Sequence, residues 1–387
     1  MAVVTEKDDG WLLDNNFLIR DQYVDVFAVQ KGTDRGDSCR SGTWMPLPVD
    51  RPVEPYFSKS KRREAKKVLA SAEEENEVEK QLKQSWLSIM KDSRTRAYLE
   101  TVPPQKEDVN ADISSSLASL CDLAKLGCDP EGPCPPIADI SKGDEDVQPF
   151  NHINANLSDK PIEIRAVSAN YLIPAQSTFL MSDITQVEKL VTCRPSCGYD
   201  AIVIDPPWEN KSIRRSRRYE SLPLSQIRKL PIRELLSSRG LVLLWITNRK
   251  AHIEYAKTSL FPTWNVELVA KWYWIKITTK GDLVFDMDST HRKPFERLLI
   301  GRRQSVADSP PSKKQKLEDV PEYKVLCSVP SKNHSQKPIL SEILRPYLPK
   351  DASCLEIFAR NLIPKWTSWG NEVLKFQCAD AYFKRCT

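Results

Sequence analysis

From about residue 161 onward, short apolar runs alternate with stretches of mixed polarity at helical spacing. IEIRAV (162–167) reads as a short strand, and DAIVID (200–205) is nearly all apolar, as expected of a strand covered on both faces. Helix signals follow over Pro223–Leu236, then a second apolar run, GLVLLWIT (240–247). Arg249–Leu260 alternates at helical spacing. VELVAKWYWIKI (266–277), rich in β-branched and aromatic residues, predicts a long strand. FERLLIG (295–301), YKVLCSV (323–329) and CLEIFA (354–359) add three strands, with a helix over Ile339–Leu348 between the last two. Strands interleaved with helices predict an α/β layered fold with a mostly parallel sheet.

The first 150 residues have a different texture and read as a mainly helical accessory region. Ser58–Glu100 lacks Gly and Pro and is rich in Ala, Glu, Lys and Leu, which predicts one helix or two. Asp112–Leu126 is a further helix candidate with Asp112 as N-cap. Pro, Gly and acidic residues over Cys128–Pro149 then predict a flexible linker. Residues 161–387 form the second domain, interrupted at Gln304–Glu322 by a polar, Pro-bearing stretch expected to be a disordered insertion.

Composition narrows the class. A chain of 387 residues with 40% hydrophobic positions suits two domains. No run of about 18 apolar residues occurs, so no membrane span is expected. The acidic start, MAVVTEKDDGWLLDNN, does not resemble a signal peptide, and an intracellular protein is expected. The ten cysteines are scattered and read as free thiols; the closest pair, Cys193 and Cys197, lacks the other ligands of a zinc site, so no metal is expected. Net charge is only +5, but its placement is informative. PPSKKQK in the insertion and SKSKRREAKK at 58–67 have the form of nuclear-import signals, so a nuclear location is expected, with the cytoplasm as a further one; solvated surface is the plainer reading of both.

The chemistry is concentrated directly after DAIVID, in Asp205-Pro206-Pro207-Trp208. Ligands of open α/β sheets bind beyond the carboxyl ends of strands, so the tetrapeptide stands where an active site belongs. A rigid Pro-Pro turn with a packing Trp is the structural alternative, although a turn alone does not call for Asp and Trp together. An adenine N6 amine is a poor nucleophile because its lone pair is delocalised into the ring. Two acceptors gripping both N–H groups can draw that pair out of conjugation and aim it at an activated methyl. Asp205 supplies one acceptor, and a carbonyl within the turn, aimed by the locked φ of proline, supplies the other. Asp205 also stabilises the positive charge that develops on the amine. Trp208, Tyr219 and Trp245 offer flat surfaces for the base, which must be flipped out or single-stranded to arrive.

Residues 161–387 resemble the DPPW-type adenine-N6 methyltransferase family, which contains the messenger-RNA adenosine methyltransferases. The likeness is nearest to its methyltransferase-like protein four branch. It rests on DAIVIDPPWENKS, RYESLPLSQIRKLPI, LLWITNR, KWYWIK, HRKPFERLLIG, NHSQKP and LEIFARNLIPKWTSWGNEVLKFQ taken together. The resemblance implies a Rossmann-like methyltransferase fold with permuted motif order and S-adenosyl-L-methionine as cofactor. It places Asp183 and Ile184 at the cofactor adenine, Asp205 at the methionine amine, Lys337 at the methionine or ribose end, Arg360 at the ribose, and Asn371 and Glu372 at the ribose hydroxyls and adenine edge. Where the messenger-RNA enzymes have a histidine two residues after the arginine, this chain has Leu362. For this branch the implied substrate is adenosine or 2′-O-methyladenosine in small nuclear RNA, acted on by a monomer; DNA adenine is the alternative.

Lys211, Arg214, Arg215, Arg217 and Arg218 place five cations within a span of eight residues beside the predicted site mouth, with Tyr219 next. That density suits phosphate neutralisation, and Asn248 joins the substrate-side candidates. Lys61, Arg62, Arg63, Lys66 and Lys67 form a second basic patch. A catalytically silent RNA-binding scaffold is the competing class, and the intact Asp205–Trp208, Lys337, Arg360 and Asn371 set argues against it. A methyltransferase acting on cytosine N4 or protein glutamine is a further class, disfavoured by the aromatic residues after the motif and by the wider match.

Overall fold

The computed structural model describes residues 3–15, 44–46, 70–102, 124, 136–142, 147–150, 152–167, 169–209, 222–289, 292–304, 317–331, 336–379 and 383–385. Its strands are β1 (Val3–Lys7), β2 (Gly10–Leu13), β3 (Trp44–Pro46), β4 (Ile137–Asp139), β5 (Ile153–Ala155), β6 (Ile162–Ala166), β7 (Ala169–Ile173), β8 (Thr178–Leu180), β9 (Tyr199–Ile204), β10 (Leu236–Ile246), β11 (Val266–Lys276), β12 (Phe295–Arg303), β13 (Tyr323–Ser328), β14 (Cys354–Ile357), β15 (Trp366–Trp369) and β16 (Phe383–Arg385). The helices used below are α1 (Ala70–Met90), α2 (Ser93–Thr101), α3 (Leu224–Arg228), α4 (Ile232–Leu235) and α5 (Lys250–Tyr255).

One sheet dominates, in the order β1-β2-β13-β11-β12-β10-β9-β14-β15-β8-β5-β4. Its centre is parallel: β9 pairs in parallel with β10 and β14, β14 with β15, β15 with β8, and β11 with β13. Only β12 runs against this direction there, antiparallel to both β10 and β11. The α/β class expected from the alternating pattern is the class observed. Along β9, Ala201 and Val203 enter one apolar cluster while Ile202 and Ile204 enter another. Burial on both faces is why that segment reads as an unbroken apolar run rather than an alternating one.

The sheet does not stop at residue 150. β1 and β2 extend it beyond β13, and β4, inside the stretch expected to be a linker, pairs with β5 at the far edge. Helix α1 lies against β1, β2, β11 and β13. Its Leu82 and Ile89 pack with Leu12, Tyr273, Ile275, Val325 and Cys327. The described N-terminal residues are thus built into the same sheet and its cover, although the sequence set them apart as an accessory region. The reason is simple: β11 and β13 are apolar on both faces and need cover that the later residues do not supply.

Several helices are shorter than their periodicity suggested. Pro223–Leu236 divides into α3 and α4, with Lys229, Leu230 and Pro231 between them. Proline lacks an N–H and disfavours helical backbone in the residue before it, which explains the break. Arg249–Leu260 begins as α5 and ends in a π-helical turn, Ala256–Leu260. Ile339–Leu348 reduces to a turn of α-helix at Ser341–Leu344 and a 3-10 turn at Arg345–Tyr347. IEIRAV pairs with β7 in a separate hairpin rather than in the main sheet. Among the described residues, Cys327, Cys354 and Cys378 are buried thiols and Cys197 is an exposed thiol. Cys193 is disulfide-bonded, against the expectation of free thiols; it is half-buried and ends a short helix. The Asp112–Leu126 helix candidate, apart from Ala124, and most of the 304–322 insertion lie outside the described residues. Among the described residues no helix is long and apolar enough to cross a membrane.

Candidate active site

The parallel strands send their carboxyl ends to one edge, and the chemical groups gather there. Asp205 follows β9, Thr247 and Asn248 follow β10, Lys276 ends β11, and Arg360 follows β14. Lys337 follows β13, and the reversed direction of β12 brings its first residues, Phe295 and Glu296, to the same edge. Together with Pro206, Pro207, Trp208, Trp245, Phe285, Arg292 and Lys293 these residues enclose a cavity of about 380 Å³. That size is within the range of small-ligand sites.

Asp205 is the electrostatic hub. Its Oδ2 accepts from Arg360 Nη1 at 2.7 Å and from Lys337 Nζ at 3.1 Å. Lys337 also pairs with Glu296 Oε2 at 3.2 Å, and Glu296 Oε1 pairs with Lys276 at 2.5 Å. On the other side, Arg360 Nε pairs with Glu372 Oε2 at 3.3 Å, and Glu372 Oε1 with Lys375 at 2.7 Å. Alternating charges thus run Lys276–Glu296–Lys337–Asp205–Arg360–Glu372–Lys375 along the strand ends. Burial opposes the charge on Glu296, but Lys337 and Lys276 outweigh it and hold its carboxyl at about 2. Burial likewise opposes the charges on Lys337 and Arg360, yet Asp205, aided by Glu296 for one and Glu372 for the other, raises both above their ordinary values. Both cations therefore stay charged, while Asp205 Oδ1 takes no hydrogen bond among the described residues and remains available to a donor.

The turn after β9 is fixed by its own backbone. Trp208 N donates to Pro206 O at 2.8 Å, and Leu222 N donates to Pro207 O at 3.1 Å. A carbonyl has two acceptor sites, so Pro206 O can still take a second donor. The Trp208 indole is 6% exposed, donates from Nε1 to Trp245 O at 2.9 Å, and stacks on His252 with centroids 5.0 Å apart. Trp245 is 1% exposed and meets Trp274 edge-on. Both tryptophans line the cavity, each almost wholly buried. Asn248 is likewise engaged: its Nδ2 donates to Phe295 O at 2.7 Å and its Oδ1 accepts from Arg297 at 2.9 Å. It lines the cavity with both polar ends already held.

The sharp bend after β14 aims Arg360. Phe358 has φ 61°, in the left-handed region that bulky residues avoid, and Ala359 N then bonds Trp369 O at 2.9 Å. Gly370 leaves room for this bend, because a Cβ there would stand 3.0 Å from Ala359 O and 3.1 Å from Ala359 N. Asp183 follows β8 and caps the turn Ile184–Gln186 through Thr185 N at 3.1 Å. Asp183, Ile184, Asn371 and Glu372 lie beyond strands of the same edge but not in the cavity wall, and Glu372 joins it through Arg360. Leu362, which stands where the resembling enzymes have histidine, is fully buried. Lys211, Arg214, Arg215, Arg217, Arg218 and Tyr219 lie outside the described residues.

Sequence reasoning missed Lys276, Phe285, Glu296 and Thr247 in the wall, and Glu356 below it. Glu356, on β14, has Oε2 buried without a partner among the described residues. Burial, then the charge of Asp205, pushes its carboxyl up to about 8 against the pull of Arg360 and Lys337. Nothing local in the sequence marks these positions, since they meet only through sheet register. Trp274 opposite Glu296 across β11 and β12, for example, sets Lys276 beside that carboxylate.

A mostly parallel sheet with a charged ligand cavity at its strand ends is a Rossmann-like α/β ligand site. Residues 199–372, which span β9 to Glu372, match the MT-A70 family model. The chain is 48% identical over 221 residues to the "N(6)-adenine-specific methyltransferase METTL4" of Mus musculus, covering 57% of this chain and 46% of that one. It is 36% identical over 222 residues to the "N6-methyladenosine RNA methyltransferase MTA1" of Pyricularia oryzae, covering 55% and 56%. It is also 36% identical over 221 residues to the "DNA N6-methyl methyltransferase" of Caenorhabditis elegans, covering 57% and 58%. The chain spans about half the length of these curated relatives.

Proposed function

We propose that this chain transfers a methyl group from S-adenosyl-L-methionine to the N6 amine of adenine in a nucleic acid, at the tip of β9. One observation carries the reading: Asp205, buried and with Oδ1 taking no hydrogen bond among the described residues, lines the cavity together with Pro206 and with Lys337 and Arg360, the two cations paired to its Oδ2. Two acceptors side by side suit the two N–H groups of an amine. The cations and the carboxylate between them suit an amino-acid head group: Lys337 and Arg360 for its carboxylate, Asp205 for its ammonium. The donor set therefore fits S-adenosyl-L-methionine, which supplies an electrophilic methyl on a sulfonium. Asp205 Oδ1 and Pro206 O hold the amine hydrogens and turn the nitrogen lone pair out of the ring. The Asp205 carboxylate stabilises the positive charge that grows on nitrogen, in a cavity lined by Trp208, Trp245 and Phe285. The methylated amine then loses its extra proton without a strong base.

RNA is the substrate we favour, with adenosine or 2′-O-methyladenosine in small nuclear RNA as the target and a monomer as the acting form. Support comes from the likeness to RNA-modifying relatives; the Caenorhabditis relative named for DNA supports the alternative. The basic runs SKSKRREAKK and PPSKKQK support a nuclear location. The test is transfer of labelled methyl from the cofactor to single-stranded RNA, 2′-O-methylated RNA and DNA oligomers, followed by nucleoside analysis. N6-methylated adenosine in the RNA arms supports the proposal, label in DNA alone moves the substrate, and label on any other atom refutes the chemistry.

A further inference from the structure

We propose that the Thr247 hydroxyl recognises the target adenine, donating its proton to one of the two ring nitrogens that flank the exocyclic amine, and that His252 and Arg249 force it into that donor role. The inference rests on the adenine-N6 reading above and adds a specificity-determining residue to it.

Thr247 follows β10 and lines the cavity beside Asp205 and Pro206. Its Oγ1 is 2.8 Å from His252 Nδ1, and His252 Nε2 is 3.4 Å from Arg249 Nη1. A guanidinium only donates, so Nε2 must present its lone pair to Arg249. The neutral ring then carries its proton on Nδ1 and donates it to Thr247 Oγ1. The backbone N–H of Arg249 donates to the same oxygen at 3.4 Å. Both acceptor sites of Oγ1 are thereby occupied, and its own proton has no acceptor among the described residues. The hydroxyl can act only as a donor, and the cavity it borders is where an acceptor can arrive.

The imidazole is held in this state. It is 2% exposed, and the Trp208 indole stacks on it at an interplanar angle of 24°. Burial and the Arg249 charge lower its pKa, with Glu209 pulling weakly the other way, so the ring stays neutral near pH 7. An adenine whose amine faces Asp205 Oδ1 and Pro206 O carries N1 and N7, both acceptors, on either side of that amine. A fixed donor at this rim pairs with one of them and sets the rotation of the base about the C6–N6 bond direction. Trp208 thus links the two halves of the site, since its backbone N bonds Pro206 O and its ring holds His252.

The test is a double-mutant cycle between residue and base. Single-stranded RNA oligomers carry adenine, 1-deaza-adenine or 7-deaza-adenine at the target position. They are compared with the wild type, Thr247→Val and Thr247→Ser, in kcat/KM and in affinity at saturating S-adenosylhomocysteine. The wild type should lose about tenfold on one analogue, the worth of a single hydrogen bond. Thr247→Val should lose a similar factor on adenine and nothing more on that analogue, while Thr247→Ser behaves as the wild type. His252→Asn, whose amide N–H can replace Nδ1–H, should keep the discrimination, and His252→Phe should lose it. Analogue penalties that persist undiminished in Thr247→Val, or wild-type indifference to both analogues, would overturn the assignment. So would variants that weaken S-adenosylhomocysteine binding as much as they weaken turnover. A cycle seen in affinity without methyl transfer to N6 would refute the underlying reaction while leaving Thr247 as the base-recognising donor.

Discussion

Lys337→Met removes the cation that bridges the two acidic groups of the site. At pH 7 Glu296 is held at about 2 rather than at its ordinary 4.5. That difference corresponds to about 3 kcal/mol of folded-state stabilisation, shared between Lys337 and Lys276. Taking about half as the share of Lys337, and a similar loss from its 3.1 Å pair with the buried Asp205, gives about 3 kcal/mol in all. Arg360 still covers Asp205 and Lys276 still covers Glu296, so the protein should fold, with reduced stability. The sign of the pH dependence follows from the depressed carboxyl. Its contribution is complete above the unfolded value near 4.5 and is lost as pH falls toward the folded value near 2. The gap between wild type and variant in urea unfolding should therefore be about 3 kcal/mol at pH 7 and should narrow on acidification below about 4.5. S-adenosylhomocysteine affinity should fall at least about tenfold, because the head-group carboxylate loses a charge-assisted donor. A stability loss below about 1 kcal/mol at pH 7, or one that widens in acid, would refute this account of the ion-pair chain.

Three further outcomes are expected. Glu356 has a raised carboxyl, so its neutral form favours folding below about 4.5 and that stability is lost as pH rises through about 8; Glu356→Gln should remove this slope and be more stable than the wild type at pH 8 in the same unfolding assay. Gly370→Ala should lower stability by about 1–3 kcal/mol and reduce turnover, because the new Cβ presses on the Ala359 backbone that aims Arg360; a variant with unchanged melting and turnover would show that the bend has slack. Replacing Arg214, Arg215, Arg217 and Arg218 by Ala should weaken oligonucleotide binding and flatten the slope of log affinity against log salt by up to about four phosphate contacts; an unchanged slope in fluorescence titrations would remove these residues from the interface.

The central strands were legible because burial on both faces leaves an unmistakable apolar run. β9, β11, β12 and β13 begin within a residue of their expected starts, and β14 at its own. The N-terminal strands were not legible, since four or five residues such as GWLL carry no periodicity and gain meaning only when β13 lies beside them. Helix lengths were overestimated because periodicity continues through Pro231 and through the π-helical turn, where the backbone does not continue as α-helix. At the site, Asp205 was legible from its place after a buried strand, and Lys337 and Arg360 from the family likeness; both cations do meet it. Trp208 and Trp245 were legible as aromatic residues of the site, but a sequence does not show how far each is covered, as one face of Trp208 is by His252. Glu296 and Thr247 escaped notice because one needs the reversed β12 to reach the strand-end edge and the other needs the tautomer of a histidine five residues away.

The most direct measurement is a crystal structure of the protein with S-adenosylhomocysteine and a short adenine-containing RNA. The adenine N6 should lie about 3 Å from both Asp205 Oδ1 and Pro206 O, with the cofactor sulfur on the far side of the amine and its carboxylate on Lys337 and Arg360. An adenine amine bound elsewhere, or a cofactor head group that leaves both cations on Asp205 alone, would contradict the account.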